Sequence, residues 1–173
     1  MRVISGIYKG KNLKGFTIEG TRPTMSRVKE SMFASIYPYL KDSDTLDLFA
    51  GSGALGIEAL SNGAKTCTFV DKEELPIKTI KENTKDMKGA VIIKKDYMKY
   101  LKETTDKFDC ILLDPPYHAN YINKSLKMIK EKDILKENGI VVCEYETEKF
   151  ISPYPLFKEK KYGSKTVSIY KNN

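Results

Sequence analysis

Histidine and cysteine are scarce in this 173-residue chain, which has one histidine, His118, and three cysteines. Cys67, Cys110 and Cys143 lie in the apolar runs KTCTFV, FDCILL and IVVCEY, with no CxxC pair and no histidine at ligand spacing. That scarcity argues against any metal site, structural or catalytic, and the thiols read as buried and reduced. Long apolar runs are missing too: none approaches the roughly 20 residues of a membrane helix. The opening MRVISGIYKG has no apolar core like that of a signal peptide, so the expectation is a cytoplasmic protein with no membrane partner. No Pro/Gly/Ser-rich linker, internal repeat or low-complexity tract divides the chain, and its length suits one α/β domain, 1–173.

Arginine is the third scarcity. Lys+Arg outnumber Asp+Glu by 30 to 23, a formal charge of +7. Yet the only arginines are Arg2, Arg22 and Arg27, all in the first 27 residues. Guanidinium is a planar fork suited to phosphate and to stacking on bases, so its confinement here marks a contact surface for a polyanion. With Lys9, Lys11 and Lys14 against the lone Glu19, residues 1–24 form a basic arm, dotted with glycines and expected to form short strands.

Beyond the arm, SRVKESMFASIYPYL spaces Val28, Met32, Ile36 and Leu40 as a helix that weakens at Pro38. Apolar strands then alternate with amphipathic helices: TLDLFA, GALGIEALSNG, KTCTFVD, ELPIKTIKENTKDM, AVIIKKD, YMKYLKE, FDCILLD, INKSLKMIKEKDIL, GIVVCEYE. Such alternation implies a mostly parallel sheet covered on both faces. The ending LFKEKKYGSKTVSIYK reads as a hairpin turning at Gly163 and Ser164. In sheets of this kind ligands bind beyond the carboxyl ends of the strands. Here those ends read DLFAGSG, FVDK, KKDY and LLDPPY, and each carries an acid.

GSGALG, residues 51–56, fits G-x-G-x-x-G between a strand and a helix, with Asp71 at the next strand end placed to accept from ribose hydroxyls. A pyrophosphate would be repelled by Asp47, four residues before the first glycine, which weakens an oxidoreductase reading. A ligand with an ammonium group would be favoured by it. S-adenosylmethionine has that ammonium, a ribose for Asp71 and an adenine whose amino edge Asp96 could meet; an acid in the position of Asp96 is also a common helix cap.

DPPY, residues 114–117, then has a chemical meaning. An exocyclic amine on a base is a poor nucleophile because its lone pair is delocalised into the ring. A carboxylate from Asp114 and the carbonyl of Pro115, both accepting from that amine, would localise the lone pair. Pro115 and Pro116 stiffen the loop and Tyr117 would stack on the base. The base must be flipped or unpaired to enter.

LDLFAGSGALGIEAL together with LLDPPY resembles the Rossmann-like class I methyltransferases that modify exocyclic amines. With RVISGIYKGKNL, TRPTMSRVKESMF and KYGSKTVSIY, nearly the whole chain is similar to the bacterial RsmD family of 16S rRNA guanine-N2 methyltransferases. The resemblance implies a seven-stranded, mostly parallel sheet with helices on both faces, a C-terminal antiparallel hairpin and a core over 25–173. It implies S-adenosylmethionine as methyl donor without a metal, 16S rRNA within a small-subunit particle as partner, and a monomer. Asp47, Gly51, Gly53, Asp71 and Asp96 match donor-site positions, and Ala50, Ser52, Lys72 and Tyr97 beside them join the set. Asp114, Pro115, Pro116 and Tyr117 match the catalytic motif, and Arg2, Lys9, Lys11, Arg22 and Arg27 are the RNA-binding candidates. One position departs: Ser26 stands where the family commonly has an acid. The rivals are an adenine-N6 enzyme on RNA or DNA, a glutamine-amide enzyme, and a non-catalytic RNA-binding protein.

Overall fold

A computed structural model describes residues 1–15, 23–117 and 119–173, without the side chains of 23–25. Arg22 therefore lies outside the described residues. In chain order the elements are α1 (Pro23–Ile36), a 3-10 turn (Tyr37–Tyr39), β1 (Asp44–Asp47), α2 (Ala54–Ser61), β2 (Thr66–Asp71), α3 (Glu74–Thr84), β3 (Ala90–Lys94), α4 (Tyr97–Glu103), β4 (Phe108–Leu113), α5 (Tyr121–Glu131), β5 (Leu135–Tyr145), β6 (Leu156–Tyr162) and β7 (Lys165–Lys171).

The seven strands form one sheet in the order β3-β2-β1-β4-β5-β7-β6. β1 to β5 run parallel, β7 is antiparallel to β5, and β6 closes the hairpin on the outer edge. The strand order reverses between β1 and β4, which sets the ligand crevice of an open α/β sheet there.

The central strands are apolar on both faces because both faces are covered. On one side α4 and α5 bring Leu101, Ile122, Leu126 and Ile129 against Leu46, Ile111, Leu113 and Val141. On the other, α1 packs Val28, Met32, Phe33 and Ile36 against Cys110, Leu112, Ile140 and Val142, and α2 and α3 pack Ile57 and Ile80 against Cys67 and Phe69. Each such side chain contributes about 1.5–3 kcal/mol on leaving water. The outer strand β6 is mostly exposed and carries Lys158, Lys160 and Lys161, which oppose pairing with another sheet.

The described part of the arm is not a ladder of short strands. Residues 1–15 double back through one isolated bridge between Arg2 and Asn12. Val3 and Leu13 drop into the core beside α2. Gly6 is required for this seat: its φ is +84°, and a Cβ there would lie 1.9 Å from the Ser61 carbonyl oxygen. The amides of Ile4 and Ser5 donate to the Glu58 carboxylate at 2.9–3.1 Å, and Lys29 Nζ reaches Glu58 Oε2 at 3.3 Å. Glu58 is fully buried, so these partners are what make its charge tolerable.

Charges at the two ends of the sheet differ in use. At the end where β1 and β4 begin, Lys136 Nζ bridges Asp44 Oδ2 at 2.9 Å and Asp109 Oδ2 at 3.1 Å, a self-contained set. At the end where the parallel strands finish, the acids border a cleft.

Candidate active site

The cleft has a volume of about 800 Å³ and runs along the carboxyl ends of the parallel strands. Asp47, Ala50, Gly51, Ser52, Asp71, Lys72, Asp96, Tyr97, Asp114, Pro115, Pro116 and Tyr117 all line it. The four acids come from β1, β2, β3 and β4 or the residues just after them, so the parallel sheet converges them on one opening.

Asp47 closes β1 and is buried. Its Oδ2 accepts from the Gly56 amide at 3.0 Å, while Oδ1 has no hydrogen-bond partner among the described residues. Burial raises the carboxyl from 3.8 to about 7; the Gly56 hydrogen bond opposes the rise and the Asp71 charge adds to it. A buried carboxylate oxygen with no donor, bordering an open cleft, fits a cationic group arriving from the cleft.

Asp71 ends β2 and holds the glycine loop. Gly51 N–H donates to its Oδ2 and Glu73 N–H to its Oδ1, both at 3.0 Å. A carboxylate has about four lone-pair positions, so acceptor capacity remains for hydroxyls in the cleft.

The three glycines of the loop do different jobs. Gly51, at φ +55°, presents backbone to the cleft. Gly53, at φ +87°, starts α2, and a Cβ there would press on Ile80, Ile57 and Phe69 at 3.3–3.4 Å. Gly56 lets α2 lie on β2, since a Cβ would come within 2.3 Å of Phe69 Cε1.

Asp96 has two tasks. Its Oδ2 caps α4 by accepting from Met98 N–H at 3.0 Å and Lys99 N–H at 3.2 Å, and the residue also borders the cleft. Tyr97 beside it packs with Phe49 and Tyr121, ring centroids 5.0–5.6 Å apart, as an aromatic wall.

Asp114 follows β4 and is partly buried. Burial, and then the neighbouring Glu144 carboxylate, raise its carboxyl well above the usual range, with Lys165 opposing. Pro115 is buried, Pro116 exposed, and Tyr117 leaves 40% of its surface to solvent at the cleft mouth. Glu144 at the end of β5 and Lys165 at the start of β7 complete this half, with Lys165 Nζ 2.9 Å from Glu144 Oε1. Burial alone would lower the Lys165 ammonium, but the hydrogen bond and charge of Glu144 outweigh it and raise it.

The basic candidates are dispersed. Arg2 lines the cleft and donates from Nε to Asn12 Oδ1 at 3.0 Å. Lys9 is exposed and Lys11 half-buried on the folded arm, and Arg27 is exposed on α1; none of the three borders the cleft. Ser26 does border it.

The family described as Conserved hypothetical protein 95 matches residues 1–171. YlbH of Bacillus subtilis is 40% identical over 181 residues, covering 99% of this chain and 98% of that one. The Ribosomal RNA small subunit methyltransferase D of Haemophilus influenzae is 36% identical over 181 residues, covering 99% and 94%. This chain belongs to the RsmD family. The solved structure of yhhF from Escherichia coli superposes with a TM-score of 0.91 at 27% identity, over 100% of this chain and 98% of that one. The fold is thus the Rossmann-like class I methyltransferase sheet that the resemblance implies.

Within this RsmD-family cleft, sequence reasoning misses Glu144, Lys165, Lys29 and the Phe49–Tyr121 part of the wall. For Glu144 a signal exists: VVCEYE ends a strand on an acid, as the other four strand ends do. For Lys165 there is none, because its place depends on how the hairpin joins the sheet.

Proposed function

We propose that this protein transfers a methyl group from S-adenosylmethionine to the N2 amine of a guanine in 16S rRNA, as a cytoplasmic, single-domain monomer acting on a small-subunit particle. Membership of the RsmD family and the likeness to the Ribosomal RNA small subunit methyltransferase D of Haemophilus influenzae support the rRNA substrate. The observation that carries the reading is the pairing, in one cleft, of a buried carboxylate oxygen awaiting a cation with a second, partly buried carboxylate at DPPY.

When bound, the donor supplies a methyl group on a positively charged sulfur. Asp47 would hold its ammonium, Asp71 would accept from its ribose hydroxyls, and Asp96 with the aromatic wall would border the adenine. Asp114 and the Pro115 carbonyl accept from the target amine, leaving its lone pair directed at the methyl carbon. The amine nitrogen would take that methyl group, the sulfur–carbon electron pair staying on sulfur as the neutral thioether leaves. The surplus proton on nitrogen passes to Asp114, whose raised affinity for protons suits it as acceptor, and then to water. Tyr117 stacks on the base, while Arg2, Lys9, Lys11, Arg22 and Arg27 offer charge to the rRNA backbone.

Mass spectrometry of nucleosides from 16S rRNA, with and without the gene, tests this. Loss of one N2-methylguanosine without the gene, restored by the wild-type chain and not by Asp114→Ala, is the expected result. Loss of N6-methyladenosine instead would replace the reading with the adenine-N6 one.

A further inference from the structure

We infer that Glu144 and Lys165 read the Watson–Crick edge of the target guanine, Glu144 accepting from N1–H and Lys165 donating to O6. This rests on the guanine-N2 reading above and assigns the groups that select the base.

Along its edge guanine offers, in order, a donor at N2, a donor at N1 and an acceptor at O6. A site that reads it must supply an acceptor, an acceptor and a donor in the same order. The sheet supplies that series on three neighbouring strands: Asp114 after β4, Glu144 on β5 and Lys165 on β7. Leu113 pairs with Cys143, so Asp114 and Glu144 are the next residues side by side; Tyr145 pairs with Thr166, which brings Lys165 alongside. All three border the cleft.

The pair is costly as mere scaffolding. The Glu144 and Lys165 side chains are only 9% and 21% exposed, and removing two charges from water largely cancels their attraction. Glu144 also adds a like charge beside Asp114. Lys165 has three N–H donors and Glu144 takes one; Nζ also lies 6.0 Å from the Tyr117 ring centroid, so donor capacity remains for a ligand beside that ring. Glu144 meets Lys165 through Oε1, and a carboxylate has about four lone-pair positions, so acceptor capacity remains on it. Adenine in the same pose would turn the N1 lone pair toward the Glu144 carboxylate, so the pair that accepts guanine repels adenine.

The test is single-turnover methylation of small-subunit particles reconstituted with 16S rRNA carrying guanine or 2-aminopurine at the modified position. 2-Aminopurine keeps the amine, but its N1 is a lone pair and it lacks O6. The wild-type protein should prefer guanine by at least about 100-fold. Glu144→Gln, whose amide can donate to N1, should lose guanine turnover about 100-fold and bring the preference within about tenfold. Lys165→Met should likewise lose guanine turnover with little effect on 2-aminopurine. Calorimetry with S-adenosylmethionine, unchanged within about threefold, verifies that each variant keeps its donor site. An unchanged preference in either variant that still binds donor would leave the pair structural and overturn the inference. A wild-type product other than N2-methylguanosine would instead overturn the underlying reading.

Discussion

Gly56 N–H donates to Asp47 Oδ2 at 3.0 Å, while Asp47 Oδ1 is buried and has no hydrogen-bond partner among the described residues. The first prediction follows from the carboxyl being raised to about 7. A cationic donor binds the ionised form, so below pH 7 its dissociation constant should rise about tenfold per pH unit, and Asp47→Asn should flatten that dependence while weakening binding. The stability of the unliganded protein has the opposite sign. Because the folded value lies above the unfolded one, this group's contribution is full below about pH 4 and is lost as pH rises through about 7, by at most about 1.4 kcal/mol per pH unit. Calorimetric titration and urea unfolding across pH 5–8 check both.

Asp114 must be ionised to accept from the amine, and its folded value is raised. Methyl transfer should therefore rise with pH on a limb lying above the usual carboxylate range. Glu144→Gln removes the like charge next to it, so whatever turnover remains should show that limb at lower pH. Single-turnover rates against pH measure the shift, and a limb that stays in place would mean that burial alone sets it.

Asp71→Ala removes the acceptor for both the Gly51 and Glu73 amides. Each charge-assisted bond is worth about 1.5–3 kcal/mol. The loop should loosen, donor affinity should fall at least tenfold, and the rate at saturating donor should change less. Donor calorimetry beside saturating-donor rates separates the two effects.

Glu58→Ala strands the Ile4 and Ser5 amides and leaves Lys29 without its ion pair. Breaking such a buried pair costs about 3–5 kcal/mol. Trypsin should then cut at Lys9 and Lys11 far faster than in the wild type. The released arm should bind 16S rRNA more weakly, with a shallower salt dependence, since Arg2 no longer sits at the cleft rim.

The sheet, its helical cover and the four acids at its active end were legible because each rests on local signals: apolar runs, helical spacing and the residue that ends a strand. Where tertiary relations decide, the sequence says less. INKSLKMIKEKDIL predicts a helix as far as Leu135, yet α5 stops at Glu131 and β5 begins at Leu135. The break falls on Asp133, which adopts φ +53° without a glycine to announce it. At Gly53 the motif spacing does not reveal that an added Cβ would meet Ile80, Ile57 and Phe69, because only the packing of α2 on the sheet brings them there.

β7 runs against the direction of β5, and so its first residue, Lys165, and not its last, arrives at the end of the sheet where the parallel strands finish. The acids Asp47, Asp71, Asp96 and Asp114 follow β1 to β4, whereas Lys165 comes from the last strand of the chain. On the proposed function, donor handling and target handling fall to different parts of the chain. If Lys165 reads the base as proposed, a change at the start of β7 alters which base is accepted while the acids that follow β1 to β3 keep their places.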